Sequence, residues 1–273
     1  MRHFRLWTID FGLSTCSFRP ATFDPRLFIA SVITCLCLLS PLARAGDLTP
    51  EEIIKRFAAK ETEFREARQS YTYKTRISAQ ELSDYGDVRG ERKLVIETYF
   101  TTDGKRHERT IEDSGQLYSL TFTQEDIDDA ANIQPFVLTT EDLPQYSIEY
   151  LGKEKADELD TYIFSVKPKH IEGHKRYFEG KIWVDDVDLQ IVKTDGRAVP
   201  QSSTHRYPRF ETIRQMIDHK YWFPVWTMGD ERLIFGNMLT GKREVRVREI
   251  ITYEDYKKFE VNTKIKFGAP TPP

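Results

Sequence analysis

In the stretch Glu244-Val245-Arg246-Val247-Arg248-Glu249-Ile250, charge alternates with valine from Glu244 to Arg248. Successive side chains of an extended chain point to opposite faces, so this alternation specifies a strand with one buried and one wet face. A helix of the same residues would scatter its valines around the circumference. The period of two recurs along most of the chain. Residues 71–82, 91–100, 105–113 and 115–122 read as strands, with Tyr85-Gly86-Asp87, Asp103-Gly104 and Asp113-Ser114-Gly115 as turns. Further strands are predicted at 146–153, 161–167, 176–185, 188–194, 209–217, 220–228, 230–236, 243–253 and 258–267. About twelve strands joined by tight turns indicate a mainly β fold, a large antiparallel meander.

Two helices interrupt it. Thr49-Pro50-Glu51-Glu52 combines an N-cap, a proline at the first helical position and a capping-box glutamate. Ile53, Ile54, Phe57 and Phe64 then recur at helical spacing as far as Arg68, giving one apolar face to bury. Residues 124–132 start acidic after Thr123 and lack alternation, which predicts a short second helix.

Ahead of these elements, Leu27 to Leu42 is apolar and uncharged, with Arg26 before it and Ala43-Arg44-Ala45 after it. This is the layout of a secretory signal cleaved after Ala45; the run is shorter than the roughly 20 residues a membrane span needs. All three cysteines (Cys16, Cys35, Cys37) lie within 1–45, so the expected mature chain has no disulfide, thiol chemistry or cysteine metal site. Cys35 interrupts the apolar run instead of ending it, which argues against a lipid-modified cysteine and for soluble export. The remaining 228 residues, one domain over 46–267 with a loose Gly-Pro-rich tail at 268–273, carry 35 Lys and Arg against 41 Asp and Glu. That balance lacks the basic surface a nucleic-acid binder needs.

Compact chemical motifs are few. The triplet Asp185, Asp186 and Asp188 has Ile191 where a calcium loop counted from Asp186 requires glycine, so it reads as a hairpin tip. His170 and His174 are four apart, but they follow Pro168 and flank Gly173 in a loop, off any helix that would aim both at a metal. No nucleophile elbow or glycine-rich phosphate loop occurs. Neither a metal nor a cofactor is expected, and an enzyme, such as a hydrolase with distant carboxylates, is the least favoured class.

Four pieces in order, LDTYIFSVKPK (159–169), FEGKIWVDDVDLQIVKTDG (178–196), DHKYWFPVWT (218–227) and VRVREIITY (245–253), together resemble the LolA-like periplasmic lipoprotein carriers. The resemblance implies a strongly curved antiparallel half-barrel covered by a few helices and enclosing an apolar cavity. It implies a periplasmic, monomeric carrier of lipid or lipoprotein acyl chains that meets membrane-embedded donor and acceptor proteins. The alternative it leaves open is an envelope sensor or scaffold that binds a protein partner. Strand alternation nominates Phe178, Ile182, Val184, Leu189, Ile191, Val245, Val247 and Ile251 as the cavity lining, with Phe223, Val225 and Tyr73 behind them. It turns Lys181 and Trp183 to the other face.

Overall fold

The computed structural model describes residues 48–259 apart from 102, 174, 203–205 and 238–240. The expected leader, the tail, His174 and most of the predicted strand 258–267 lie outside the described residues.

Helix α1 (Pro50–Arg68) begins as its sequence dictates. The Glu52 N–H donates to Thr49 Oγ1 (3.3 Å) and the Thr49 N–H to Glu52 Oε2 (3.2 Å). Two donors that a helix start would leave open are thereby satisfied. Its buried face is Ile53, Phe57, Ala58, Glu61 and Phe64, so a carboxylate sits inside the apolar stripe.

Among the described residues ten strands follow: β1 (Tyr71–Leu82), β2 (Val88–Phe100), β3 (Arg106–Gln116), β4 (Tyr146–Ala156), β5 (Leu159–Pro168), β6 (Tyr177–Asp185), β7 (Ile191–Val199), β8 (Phe210–Ile217), β9 (Tyr221–Asn237) and β10 (Gly241–Lys258). Helix α2 (Gln124–Asn132) and a short 3₁₀ turn (Leu143–Gln145) lie between β3 and β4. One antiparallel sheet holds all ten strands in the order β3-β2-β1-β10-β9-β8-β7-β6-β5-β4. The half-barrel with few helices is therefore the fold, with a topological feature the meander did not anticipate. Strands β3 and β4 are consecutive in sequence yet form opposite edges. Nine strand spacings of ~4.8 Å amount to about 43 Å before curvature, beyond any tight turn. Residues 117–145 make that crossing, and in doing so they cover one face of the sheet.

The crossing explains the first correction. The predicted strand 115–122 and the turn at Asp113-Ser114-Gly115 are replaced by a β3 that runs through to Gln116, after which the chain is irregular. The buried Glu81 carboxylate accepts from the N–H groups of Tyr118 (3.0 Å), Ser119 (2.6 Å) and Leu120 (2.6 Å). Three backbone donors are thus satisfied without a partner strand. Gly115 has φ +78°, and a Cβ there would stand 2.1 Å from the Glu91 carbonyl oxygen, so only glycine fits. A second correction concerns Gly229, which is no break: 220–228 and 230–236 are one strand, β9, with Gly229 paired to Phe210.

The acidic triplet is the β6–β7 hairpin tip. Asp185 Oδ2 accepts from the N–H groups of Val187 (3.1 Å) and Asp188 (2.6 Å), the local turn bonding for which aspartate is selected. Among the described residues no group of three or more His, Cys, Asp or Glu side chains is placed to hold a metal ion. No described helix is long and apolar enough to cross a membrane.

Candidate functional site

The covered face of the sheet is closed in one region and hollow in another. In the closed region α1 and the crossing segment press on β5–β8. Ile53, Phe57 and Ala58 of α1 meet Phe136 and Leu138 of the crossing segment and Phe164, Phe178, Ile182, Val184 and Ile191 of the sheet. The Phe136 and Phe178 rings stack at 4.3 Å. Through this packing runs a buried ion pair: Arg214 of β8 donates to Glu61 Oε1 and Oε2, both at 3.1 Å, and to the Phe136 carbonyl. The Ile191 N–H adds a third donor to Glu61 at 3.1 Å. Burial pushes the Glu61 carboxyl up, with Arg214 opposing it. Helix, crossing segment and two strands are therefore fastened at one point.

In the hollow region the irregular 117–123 segment and the loop at Arg206–Pro208 stand off β1, β9 and β10, leaving a half-open cavity of about 350 Å³. Ala79, Val247, Leu233 and Phe235 form its sheet side, and Leu120 and Phe122 its cover. That volume lies within the roughly 300–1,000 Å³ typical of small-ligand sites.

Its polar groups are unevenly placed. Glu249 of β10 is buried on the same face as Val247 and Ile251 and accepts from Gln134 Nε2 at 2.6 Å. Burial pushes this carboxyl up to about 8, with the Gln134 bond pulling the other way and Asp126 and Asp129 adding to the rise. Glu249 is therefore largely an uncharged acid at neutral pH. In that form it can donate to Gln134, whose Oε1 otherwise lacks a partner. Burial also raises Asp126, which accepts from Thr123 Oγ1 at 2.8 Å, and Asp129, which pairs with Arg176 at 2.6 Å. Arg206 and Arg243 line the cavity on its solvent side and are themselves exposed.

The residues nominated from sequence divide between the two regions. Phe178, Ile182, Val184 and Ile191 are fully buried in the closed region, with Leu189 packed against them. Ile251 lies beneath α2 with Ile77, Leu94, Ala130 and Tyr253. Val247 lines the cavity, and Val245 packs beside it with Leu233 and borders an adjoining depression. Of the weaker candidates, Phe223 packs on Phe64 and Tyr71, Tyr73 is buried against Arg68, and Val225 is half-buried. Trp183 faces away from Ile182 as expected, but it is covered there by Ile163, Val192 and Trp222. Sequence reasoning passed over Leu120, Phe122, Leu233, Phe235 and Glu249. Glu249 was within reach, since it shares the parity of Val247 and Ile251, both nominated.

The architecture defines an open antiparallel half-barrel with one covered, partly hollow face. Among solved structures the chain is similar to a DUF1329 family protein from Desulfovibrio piger (13% identity, covering 78% of this chain and 94% of that one, TM-score 0.36). It is similar to a LolA superfamily protein from Nitrosomonas europaea (13% identity, 80% and 97% coverage, TM-score 0.35). A domain named for outer membrane lipoprotein sorting, from Vibrio parahaemolyticus, is also similar (14% identity, 76% and 93% coverage, TM-score 0.32). No protein-family model and no curated protein matches the chain.

Proposed function

We propose that the chain is an exported, periplasmic carrier that shelters the acyl chain of a lipid or lipoprotein beneath the 117–123 segment and delivers it across water. The observation that carries this reading is the 350 Å³ cavity whose apolar wall residues include Leu120, Phe122, Leu233, Phe235 and Val247. Each methylene removed from water contributes about 0.8 kcal/mol, so a chain can be retained without covalent chemistry and still be released. The cover is an irregular segment held by backbone hydrogen bonds to one carboxylate, which suits a wall that opens. In this reading Val247 and Val245 contact cargo, whereas Phe178, Ile182, Val184, Leu189 and Ile191 form the frame that keeps the sheet curved.

A second reading, a sensor or scaffold that pairs a partner with the sheet edge, is favoured by β3, an edge strand exposed along all 11 residues. Against it, the charged run Arg106-His107-Glu108-Arg109 is the composition that protects an edge from pairing. The test is titration of the purified chain with a fluorescent fatty-acyl probe, alongside mass spectrometry of lipid copurified from a bacterial periplasm. Saturable binding that Val247→Asp abolishes without unfolding the protein supports the carrier. Absence of both binding and copurified lipid excludes it.

A further inference from the structure

The cavity is not uniformly apolar, and its charges are sorted by position. Arg206 and Arg243 belong to its lining, and the Arg243 guanidinium lies 5.9 Å from the centre of the Phe235 ring. Two depressions of about 470 and 280 Å³ adjoin it. The first shares Arg243 with the cavity and the second shares Arg206; Lys242 belongs to the lining of the second. Neighbouring arginines are neutralised within the sheet: Arg232 by Asp84 (3.0 Å) and Glu244 (3.1 Å), Arg246 by Asp230 (2.9 Å), Arg197 by Glu231 (3.5 Å). Arg206, Lys242 and Arg243 have no carboxylate partner among the described residues. In a chain of net charge −3, two cations without a carboxylate partner in the cavity lining and a third in an adjoining depression are a local reversal of the overall balance.

We infer that the cargo is an amphiphile with an apolar tail and an anionic head, a carboxylate or phosphate, the tail entering between Leu120, Phe122 and Val247 and the head held at the rim by Arg206 and Arg243. This rests on the carrier reading and adds the chemistry of the head group to it. Guanidinium groups bind carboxylate and phosphate oxygens through paired N–H donors, so a head of that class would pair with the exposed guanidinium groups of the rim. Inside, the two carboxyl groups of the lining, Glu249 and Asp126, are each hydrogen-bonded, by Gln134 and Thr123, and burial raises both, so the charge that would oppose a tail is weakened there.

The experiment compares, at neutral pH, a fluorescent fatty acid with the methyl ester of the same labelled chain. A third arm uses inorganic phosphate alone. The wild-type chain should bind the acid about tenfold or more tightly than the ester, and added salt should shrink the difference. The double variant Arg206→Gln/Arg243→Gln should keep the wild-type melting temperature and ester affinity and lose the preference. Equal affinity of the wild type for acid and ester would overturn the anionic head and leave the carrier reading standing. No binding of either probe would overturn both. Binding of inorganic phosphate with neither probe bound would make the rim a site for a small free anion and overturn the amphiphile.

Discussion

The two ends of the covered face use the same sheet with different covers. Over β5–β8 the cover is a helix with an apolar stripe, pinned by Glu61 and Arg214, and the facing side chains are buried against one another. Over β1, β9 and β10 the cover is an irregular segment, hung on the Glu81 carboxylate, and space remains. Both ends show the same strand alternation. Whether a buried strand face becomes packed core or cavity wall is thus decided by the element laid over it, not by the strand.

The sharpest way to break this comparison is one substitution made at both ends. Val184→Asp puts an unpaired carboxylate into the closed region. We expect it to cost more than about 4 kcal/mol, enough to leave little folded protein by circular dichroism. Val247→Asp puts the same group beside open space and should yield folded protein that no longer binds the acyl probe. Equal damage from both would mean that the hollow end is packed in solution.

Glu61→Ala is expected to follow in size. It strands a buried guanidinium, which typically destabilises by about 3–5 kcal/mol, read as a lowered denaturation midpoint. Probe binding by whatever folded fraction remains should be unchanged, because the pair lies outside the cavity.

Glu249 gives an effect that is spread over pH and is smaller within any one pH unit. Its folded value of about 8 exceeds the ordinary 4.5, so between these values the folded chain keeps a proton that the unfolded chain releases. Stability therefore falls as pH rises through this window, by up to about 1.4 kcal/mol per unit, and levels off above about 8. Glu249→Gln should flatten the profile, as measured by urea denaturation at both ends of the window. A wild-type profile that is already flat would show Glu249 to be ionised and solvated. The smallest effect belongs to the exposed pair Arg92–Asp113 on β2 and β3 (2.9 Å). There Asp113→Ala should change stability by less than about 1 kcal/mol and leave the cavity untouched.

How far these features could be read from sequence follows from how local their causes are. The capping box of α1 and the Asp185 turn are settled by neighbours three residues apart, and both were readable. The alternation of 244–248 predicted both β10 and its buried parity. The cover at 117–123 was misread as a strand because its backbone is satisfied by Glu81, nearly 40 residues earlier and seemingly an ordinary strand glutamate. The division of the eight nominated residues was hidden for the same reason: parity tells which side a residue faces, and only the crossing of residues 117–145 tells what it faces there.

That crossing has a kinetic consequence. Because the chain leaves β3 for the far edge and returns strand by strand, β1 finds its second partner only in β10. Thr72 and Lys257, which are paired, are 185 residues apart. Contacts of such separation are slow to form, because a large loop must close before they contribute. Until β10 arrives, β1 presents a bare edge of 12 residues to any other chain. The ring of contacts that builds the cavity therefore closes last, and the hollow end, Val247 included, should gain hydrogen-exchange protection after the β5–β8 end during refolding.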